Sequence, residues 1–257
     1  MKTIKGRAVS AALILTLAAA AAMIISGAIL GEPTVTSGKY IALYILPLLT
    51  AAVVLATTTD LRPPRSTFAT DGLAAGLKTG SYIPLAGLIF GGLFLIGSPA
   101  GTLHWPGAAG VALYVLGTLL TAVFEESIFR GAVLPRLLQA FAPWKAIVIS
   151  AALFGATHGI SLIGHPHAPL TAGTQMIYAF FLGALLGAVY LRTRSLLAPI
   201  ILHFFFNLCG GLAFAFGPAI HTEADIPLAA AALQIALLAP AFFIARRSLA
   251  RRGMARR

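Results

Sequence analysis

The chain has 257 residues, of which 59% are hydrophobic and only 10% are charged, and its mean hydropathy is +0.93. Ordinary soluble domains carry about 25% charged residues, so this composition excludes a soluble domain and indicates an integral membrane protein. The net charge is +11, but no nucleic-acid-binding motif accompanies it. We attribute the charge to basic loops beside anionic lipid and predict no nucleic-acid partner.

Eight apolar segments follow one another along the chain, each near the roughly 20 residues that span a bilayer. They cover about 8–30, 40–58, 73–97, 108–134, 144–162, 172–191, 196–216 and 227–245. The first exceeds the ~7–15 apolar residues of a signal peptide, so we count it as a helix. Pro84 and several glycines interrupt the third. A short stretch, 133–142, separates the fourth from the fifth, with helix boundaries expected at Pro135 and Pro143.

The sequence therefore predicts an all-α fold, a polytopic membrane protein built as a bundle of about eight transmembrane helices. We expect one membrane-embedded domain, 1–257, because no soluble domain, internal repeat or low-complexity linker is visible. The polar residues described below concentrate in a core of about 108–216.

Basic residues fall on one side of this eight-helix arrangement. Every Lys and Arg except Lys39 lies at a chain end or connection that would face the same side. The opposite connections carry the acidic residues Glu32, Glu223 and Asp225. Because basic loops stay in the cytoplasm, both termini are predicted to be cytoplasmic. We expect a multi-pass protein of the cell membrane, namely the bacterial inner membrane.

Two adjacent carboxylates, Glu125 and Glu126, interrupt the fourth apolar segment. A carboxylate in hydrocarbon costs at least ~2.5–3.5 kcal/mol, so ionisable residues at such positions are candidates for function. Arg130 follows Glu126 by four residues and shares its helix face, which places a guanidinium within reach of that carboxylate.

His158, His203 and Asn207 lie in other apolar segments at a similar predicted depth. With a rise of 1.5 Å per residue, Glu125 lies ~16 Å, His203 ~13 Å and His158 ~20 Å from the nearest basic residue at the cytoplasmic end. His203 and Asn207 are four residues apart and point the same way. Because three different helices supply these side chains near mid-membrane, we predict one shared buried site.

Three motifs combine these residues: Glu125-Glu126-x-x-x-Arg130, Phe154-x-x-x-His158 and His203-x-x-x-Asn207. In this order, on successive apolar segments, they resemble the CPBP family of intramembrane proteases, which includes CAAX prenyl endopeptidases and bacteriocin-processing and immunity proteins. The resemblance implies hydrolysis of a peptide bond within the membrane, in a cavity open to the cytoplasm. It does not imply a prenylated substrate.

The same residues support two hydrolytic arrangements. In the first, Glu125 is the general base for a water, His158 orients the water or shuttles its proton, and His203 with Asn207 binds the oxyanion. We favour Glu125 over Glu126 as the reacting carboxylate because Glu126 has the better-placed ion-pair partner in Arg130. In the second, the same glutamate and both histidines bind a divalent metal ion such as zinc with an open water position, as in a metalloprotease.

Two other functions use similar residues. Carboxylates and histidines near mid-membrane also form ion relays, so a transporter coupled to ions or protons is an alternative, although no internal repeat supports it. A non-catalytic membrane scaffold or immunity factor is another. For the leading hypothesis, the expected partners are a membrane protein or lipid-associated peptide as substrate, and membrane lipid.

Overall fold

The computed structural model describes residues 2–31, 34–58, 67–97, 102–216 and 227–251, and these contain helices and connections without a strand. The α-helices are α1 (Lys2–Leu30), α2 (Gly38–Ala42), α3 (Ile45–Thr57), α4 (Leu73–Gly80), α5 (Tyr82–Gly97), α6 (Gly107–Ile128), α7 (Leu134–Leu138), α8 (Pro143–Thr157), α9 (Ser161–Gly164), α10 (Pro169–Thr193), α11 (Leu197–Gly210), α12 (Leu212–Phe216) and α13 (Leu228–Ala250). The all-α prediction is confirmed. Several charges used to predict topology lie outside the described residues: Glu32, Arg62, Arg65, Glu223, Asp225, Arg252, Arg256 and Arg257.

Six helical stretches of the described chain are long and apolar enough to cross a membrane, and a seventh forms if α4 and α5 count as one bent span. The seventh predicted segment, 196–216, is divided between α11 and the short α12. With only 14 residues, α11 extends about 21 Å, less than the ~30 Å of a hydrocarbon core. The predicted number of about eight is therefore approximate.

The bend between α4 and α5 measures 44° and falls at Ser81, three residues before Pro84. Proline lacks a backbone N–H, and its ring clashes with the carbonyl four residues earlier, here that of Gly80. The predicted interruption of the third segment is thus present, one turn before the proline that causes it.

The fourth span continues further than the sequence indicated. A π-helix, Phe129–Val133, joins α6 to α7, so that one helical stretch runs from Gly107 to Leu138. The predicted separate stretch at 133–142 was wrong for its first part, since Val133, Leu134 and Leu137 are fully buried within this extension. Residues 139–142 do form a connection, and α8 begins at Pro143, as predicted. Pro135 lies in the first turn of α7, directly after the π-helix.

The centre of the bundle is α10. In its apolar stretch 67% of the residues are buried, compared with 22–33% in the other five long spans. It packs against α8 on one side and α13 on the other, and also contacts α4 and α11. The outer helices expose large apolar side chains: Ile14, Leu17, Ile29, Leu49, Val53, Ile96 and Phe243. This outward apolar surface is what lipid contact requires.

Glycines on α5 allow α11 to approach closely, as small residues do between membrane helices. A Cβ at Gly87 would lie 2.8 Å from the carbonyl oxygen of Phe206, and one at Gly91 would overlap the carbonyl oxygen of Cys209. These obstacles are backbone atoms, which cannot rotate away. The position of α11, which carries His203 and Asn207, therefore depends on the bare backbone of α5.

We expect Gly91→Ala to destabilise the protein by about 1–3 kcal/mol, the usual cost of overpacking. Gly92→Ala is the matched control, because a Cβ at the next residue of the same helix meets nothing within 4 Å. Alanine is also the better helix former there. Thermal unfolding of both variants in detergent measures the difference, and equal melting temperatures would show that α5 and α11 are not in close contact.

Candidate functional site

Glu126 lies at the centre of a buried polar cluster. Its side chain is fully buried near the end of α6, and its Oε1 atom accepts two hydrogen bonds. Arg130 Nη1 donates one at 2.7 Å, and His203 Nδ1 donates the other at 2.8 Å. The predicted contact between Glu126 and Arg130 is present, and His203 is a partner that the sequence did not indicate.

Arg130 connects three helical elements. It lies in the π-helix, and its Nη2 atom donates to the backbone oxygen of Gly183 in α10 at 2.9 Å. Its guanidinium carbon lies 4.8 Å from the centre of the Phe154 ring in α8. With 1% of its surface exposed, Arg130 is held by the carboxylate, the carbonyl and the ring together.

The π-helix begins three residues after Glu126 and contains Arg130. The N–H of Leu134 bonds to the oxygen of Phe129, five residues earlier, in place of the four of an α-helix. Single-turn π-helices within α-helices occur frequently at functional sites. Here the π-helix follows the two adjacent carboxylates within one helical turn.

His203 lies between the two carboxylates. Its Nδ1 bonds to Glu126, and its Nε2 lies 3.5 Å from Oε2 of Glu125. A carboxylate can only accept, so Nδ1 carries a hydrogen and Nε2 faces Glu125. The imidazole is buried, whereas the Glu125 side chain is 19% exposed.

His158 is oriented by the helix to which it belongs. It follows α8, where the chain tightens into a 3-10 turn, His158–Ile160. Its Nδ1 lies 2.9 Å from the backbone oxygen of Phe154. Because a carbonyl oxygen only accepts, Nδ1 carries the hydrogen, and in the neutral ring Nε2 is a proton acceptor.

Phe154 packs between the charged and imidazole groups. Its ring centre is 4.9 Å from that of His158 and 5.9 Å from that of His203, both edge-to-face, and it also supports the Arg130 guanidinium. In the sequence, Phe154 is recognisable only as part of a motif. Its spacing of four residues from His158 was the available signal for this contact.

Asn207 lies one turn after His203 on α11 and lines the same cavity as Glu125, His158 and His203. The end of α11 is fixed from α6, because the Tyr114 hydroxyl lies 2.5 Å from the carbonyl oxygen of Leu208 and 3.2 Å from that of Asn207. The position of Asn207 is therefore tied to the helix that carries both glutamates.

The cavity has a volume of about 500 Å³ and is mainly apolar. Glu125 lines it, whereas Glu126 and Arg130 lie behind its wall. Further polar side chains that sequence reasoning did not select also line it: Tyr40, Tyr44, Thr121, Gln175, Tyr178 and Gln234. An apolar cavity with a few convergent polar groups is the usual form of a substrate site.

The predicted metal ligands do not form a complete set. Glu125 and His203 are close to each other, but among the described residues no three His, Cys, Asp or Glu side chains are grouped so that they could hold a metal ion. The Glu125, His158 and His203 set therefore does not fit a metal ion in this arrangement.

The fold and the site define a multi-pass membrane protein with a cluster of carboxylate, imidazole and guanidinium groups inside its helices. Residues 106–209 match the family model for type II CAAX prenyl endopeptidase, Rce1-like. This match covers about two fifths of the chain and includes all six residues of the candidate site. No curated protein matches the chain. The predicted resemblance to the CPBP/CAAX protease family is confirmed over residues 106–209, and that family implies a protease.

Proposed function

We propose that this protein is an intramembrane endopeptidase of the CAAX type, in which Glu125 activates a water molecule that attacks a peptide bond. The observation that carries the proposal is that only one of the two adjacent carboxylates lines the cavity. Glu125 lines the cavity beside Nε2 of His203, while Glu126 is withdrawn behind it and bonded to Arg130 and His203.

The proposed reaction begins when Glu125 takes a proton from water in the cavity. The water oxygen then bonds to the peptide carbonyl carbon, and the carbonyl electrons move onto its oxygen. Nε2–H of His203 and the side-chain amide of Asn207 donate to this oxyanion. The proton held by Glu125 passes to the leaving nitrogen as the C–N bond breaks, which gives a carboxyl group and an amine.

Glu126 and Arg130 act as positioning residues for His203. Glu126 accepts from Nδ1, so that Nε2 is turned towards Glu125 and the cavity. The proposed reaction needs a hydrogen on both ring nitrogens of His203. The positive charges of His203 and Arg130 then balance the two negative charges of the adjacent glutamates, so the cluster has no net charge. That balance supports a donor at Nε2, since buried charge is tolerated when it is paired.

His158 supplies a second proton acceptor. Its Nδ1–H donates a hydrogen bond to the backbone oxygen of Phe154. The Nε2 atom therefore remains available to the cavity that His158 lines. In this proposal His158 orients the attacking water and exchanges protons with it. No step uses a metal ion.

The proposed substrate is a membrane protein or lipid-associated peptide, because its scissile bond must enter a cavity walled by apolar helices. The proposed location is the cell membrane, namely the bacterial inner membrane, with the basic helix ends in the cytoplasm.

Cleavage of a reporter peptide with a farnesylated Cys-a-a-X terminus by the purified protein, followed by mass spectrometry, tests this function. We expect a product with wild type and none with His158→Ala or His203→Ala. A variant that cleaves at the wild-type rate would remove its residue from the mechanism. A matched peptide without the farnesyl group shows whether the lipid is required.

The same assay separates the two hydrolytic arrangements. Since the described residues provide no three-ligand group, we expect cleavage to persist after prolonged dialysis against a metal chelator. Loss of activity on chelation, restored by zinc, would favour the metalloprotease arrangement.

A further inference from the structure

A second cavity, of about 470 Å³, lies at one end of the bundle, between α4 and the last turns of α10 and α13. Four basic residues, two hydroxyl residues and two apolar residues line it: Lys78, Arg192, Arg247, Arg251, Thr79, Ser248, Ala75 and Ile244. It shares no lining residue with the cavity that contains Glu125. The proposed peptidase reaction does not use it.

The lining has the chemistry of an anion site. Lysine and arginine donate charge-assisted hydrogen bonds to phosphate oxygens, and hydroxyl groups add neutral donors. The carboxylates of the described residues are Asp71, Glu125 and Glu126, and none of them lines this cavity. Basic side chains often occupy helix C-termini. Here the C-terminal ends of α10 and α13, together with α4, place basic side chains around one cavity.

The surroundings of the cavity fit a lipid better than a soluble anion. Lys78, Arg247 and Arg251 are exposed, so a ligand can reach these three cations from outside the bundle. Ile244 extends the lining along α13 towards its apolar part, and the neighbouring Phe243 is 64% exposed. A phosphate at the basic end would therefore leave attached acyl chains beside an apolar helix surface.

We propose that this cavity binds the phosphate headgroup of an anionic phospholipid. Basic pockets between membrane helices on the cytoplasmic side are suited to such headgroups. The predicted topology places Lys78, Arg192 and Arg247 on that side. This site is independent of the proposed peptidase activity and would remain if that activity were absent.

The test measures lipid binding to the purified full-length protein in a non-ionic detergent. Phosphatidylglycerol is titrated, and bound lipid is counted by native mass spectrometry. We expect Arg247→Gln to weaken binding about fivefold, as the loss of one cation near a lipid phosphate predicts. Arg246→Gln is the matched control, since the adjacent Arg246 is also exposed but does not line the cavity. Lys78→Gln should reproduce the loss from a different helix.

The outcomes separate a site from diffuse attraction. Retained binding in Arg246→Gln, with loss in Arg247→Gln and Lys78→Gln, supports the proposal. Equal loss in all three variants overturns it in favour of general surface charge. Phosphatidylcholine bound as tightly as phosphatidylglycerol would overturn the preference for a net negative headgroup. Displacement of the lipid by inorganic phosphate at equal concentration would assign the cavity to a soluble anion.

Discussion

Glu125→Gln should reduce peptide cleavage by about 10²–10⁴-fold, the usual contribution of a general base. Glutamine keeps the size of the side chain but cannot take a proton from water. Glu125 is partly exposed to the cavity, and its contact with His203 is long, at 3.5 Å. The variant should therefore fold and melt like wild type while its turnover number falls. Cleavage of the farnesylated reporter, measured beside thermal unfolding, checks both expectations.

Asp71→Asn is the matched control, because Asp71 is an exposed carboxylate outside the cavity. It removes one negative charge from the same small set of acidic residues and should leave cleavage unchanged. If Glu125→Gln retained wild-type turnover, the choice of Glu125 as the base would be wrong. If the loss appeared instead only in Glu126→Gln, with an unchanged melting temperature, the roles of the two glutamates would be exchanged.

Arg130→Met should destabilise the protein as well as inactivate it. The substitution leaves Glu126 buried without its guanidinium partner, and breaking a buried ion pair in this way typically costs about 3–5 kcal/mol. It also removes the bond to Gly183 and the contact with Phe154. Thermal unfolding in detergent measures the loss, and Arg246→Gln serves as the control for removing an exposed arginine.

A double variant, Glu126→Gln with Arg130→Met, distinguishes the charge from the packing. We expect it to regain part of the stability lost in Arg130→Met, because no unpaired carboxylate remains. Cleavage should stay low, since His203 no longer has an ionised acceptor at Nδ1. A double variant whose loss of stability equals the sum of the losses in the two single variants would show that the pair does not act as a unit.

The sequence predicted the local features of the site well. The four-residue spacing of Glu126 and Arg130 predicts their contact, which the structure contains. Hydropathy located the apolar segments, because backbone groups in lipid must be satisfied within helices. The depth estimates placed Glu125 and His203 at similar levels, and their side chains lie 3.5 Å apart.

Features that depend on packing between distant segments could not be predicted. The bond from His203 to Glu126 joins residues 77 positions apart, and helical periodicity carries no information about which helix faces which. The π-helix at Phe129–Val133 was missed because hydropathy and residue spacing look nearly the same in α and π geometry over only five residues. The contact of Tyr114 with the end of α11 depends on the same tertiary arrangement.

The sequence distinguishes the two glutamates only by their spacing from Arg130. The sequence favoured Glu125 as the reacting carboxylate only because Glu126 has Arg130 nearby. The structure adds the relevant physical distinction, since Glu125 lines the cavity while Glu126 is fully buried between Arg130 and His203.

The most direct test is cleavage of the farnesylated reporter in isotopically labelled water, with mass spectrometry of the new carboxyl terminus. The proposed reaction predicts that the purified wild-type protein produces a carboxyl group carrying one labelled oxygen, and that Glu125→Gln produces no labelled product. A folded wild-type protein that never cleaves the reporter or its unfarnesylated counterpart, while its anionic-lipid binding remains intact, would contradict the peptidase assignment.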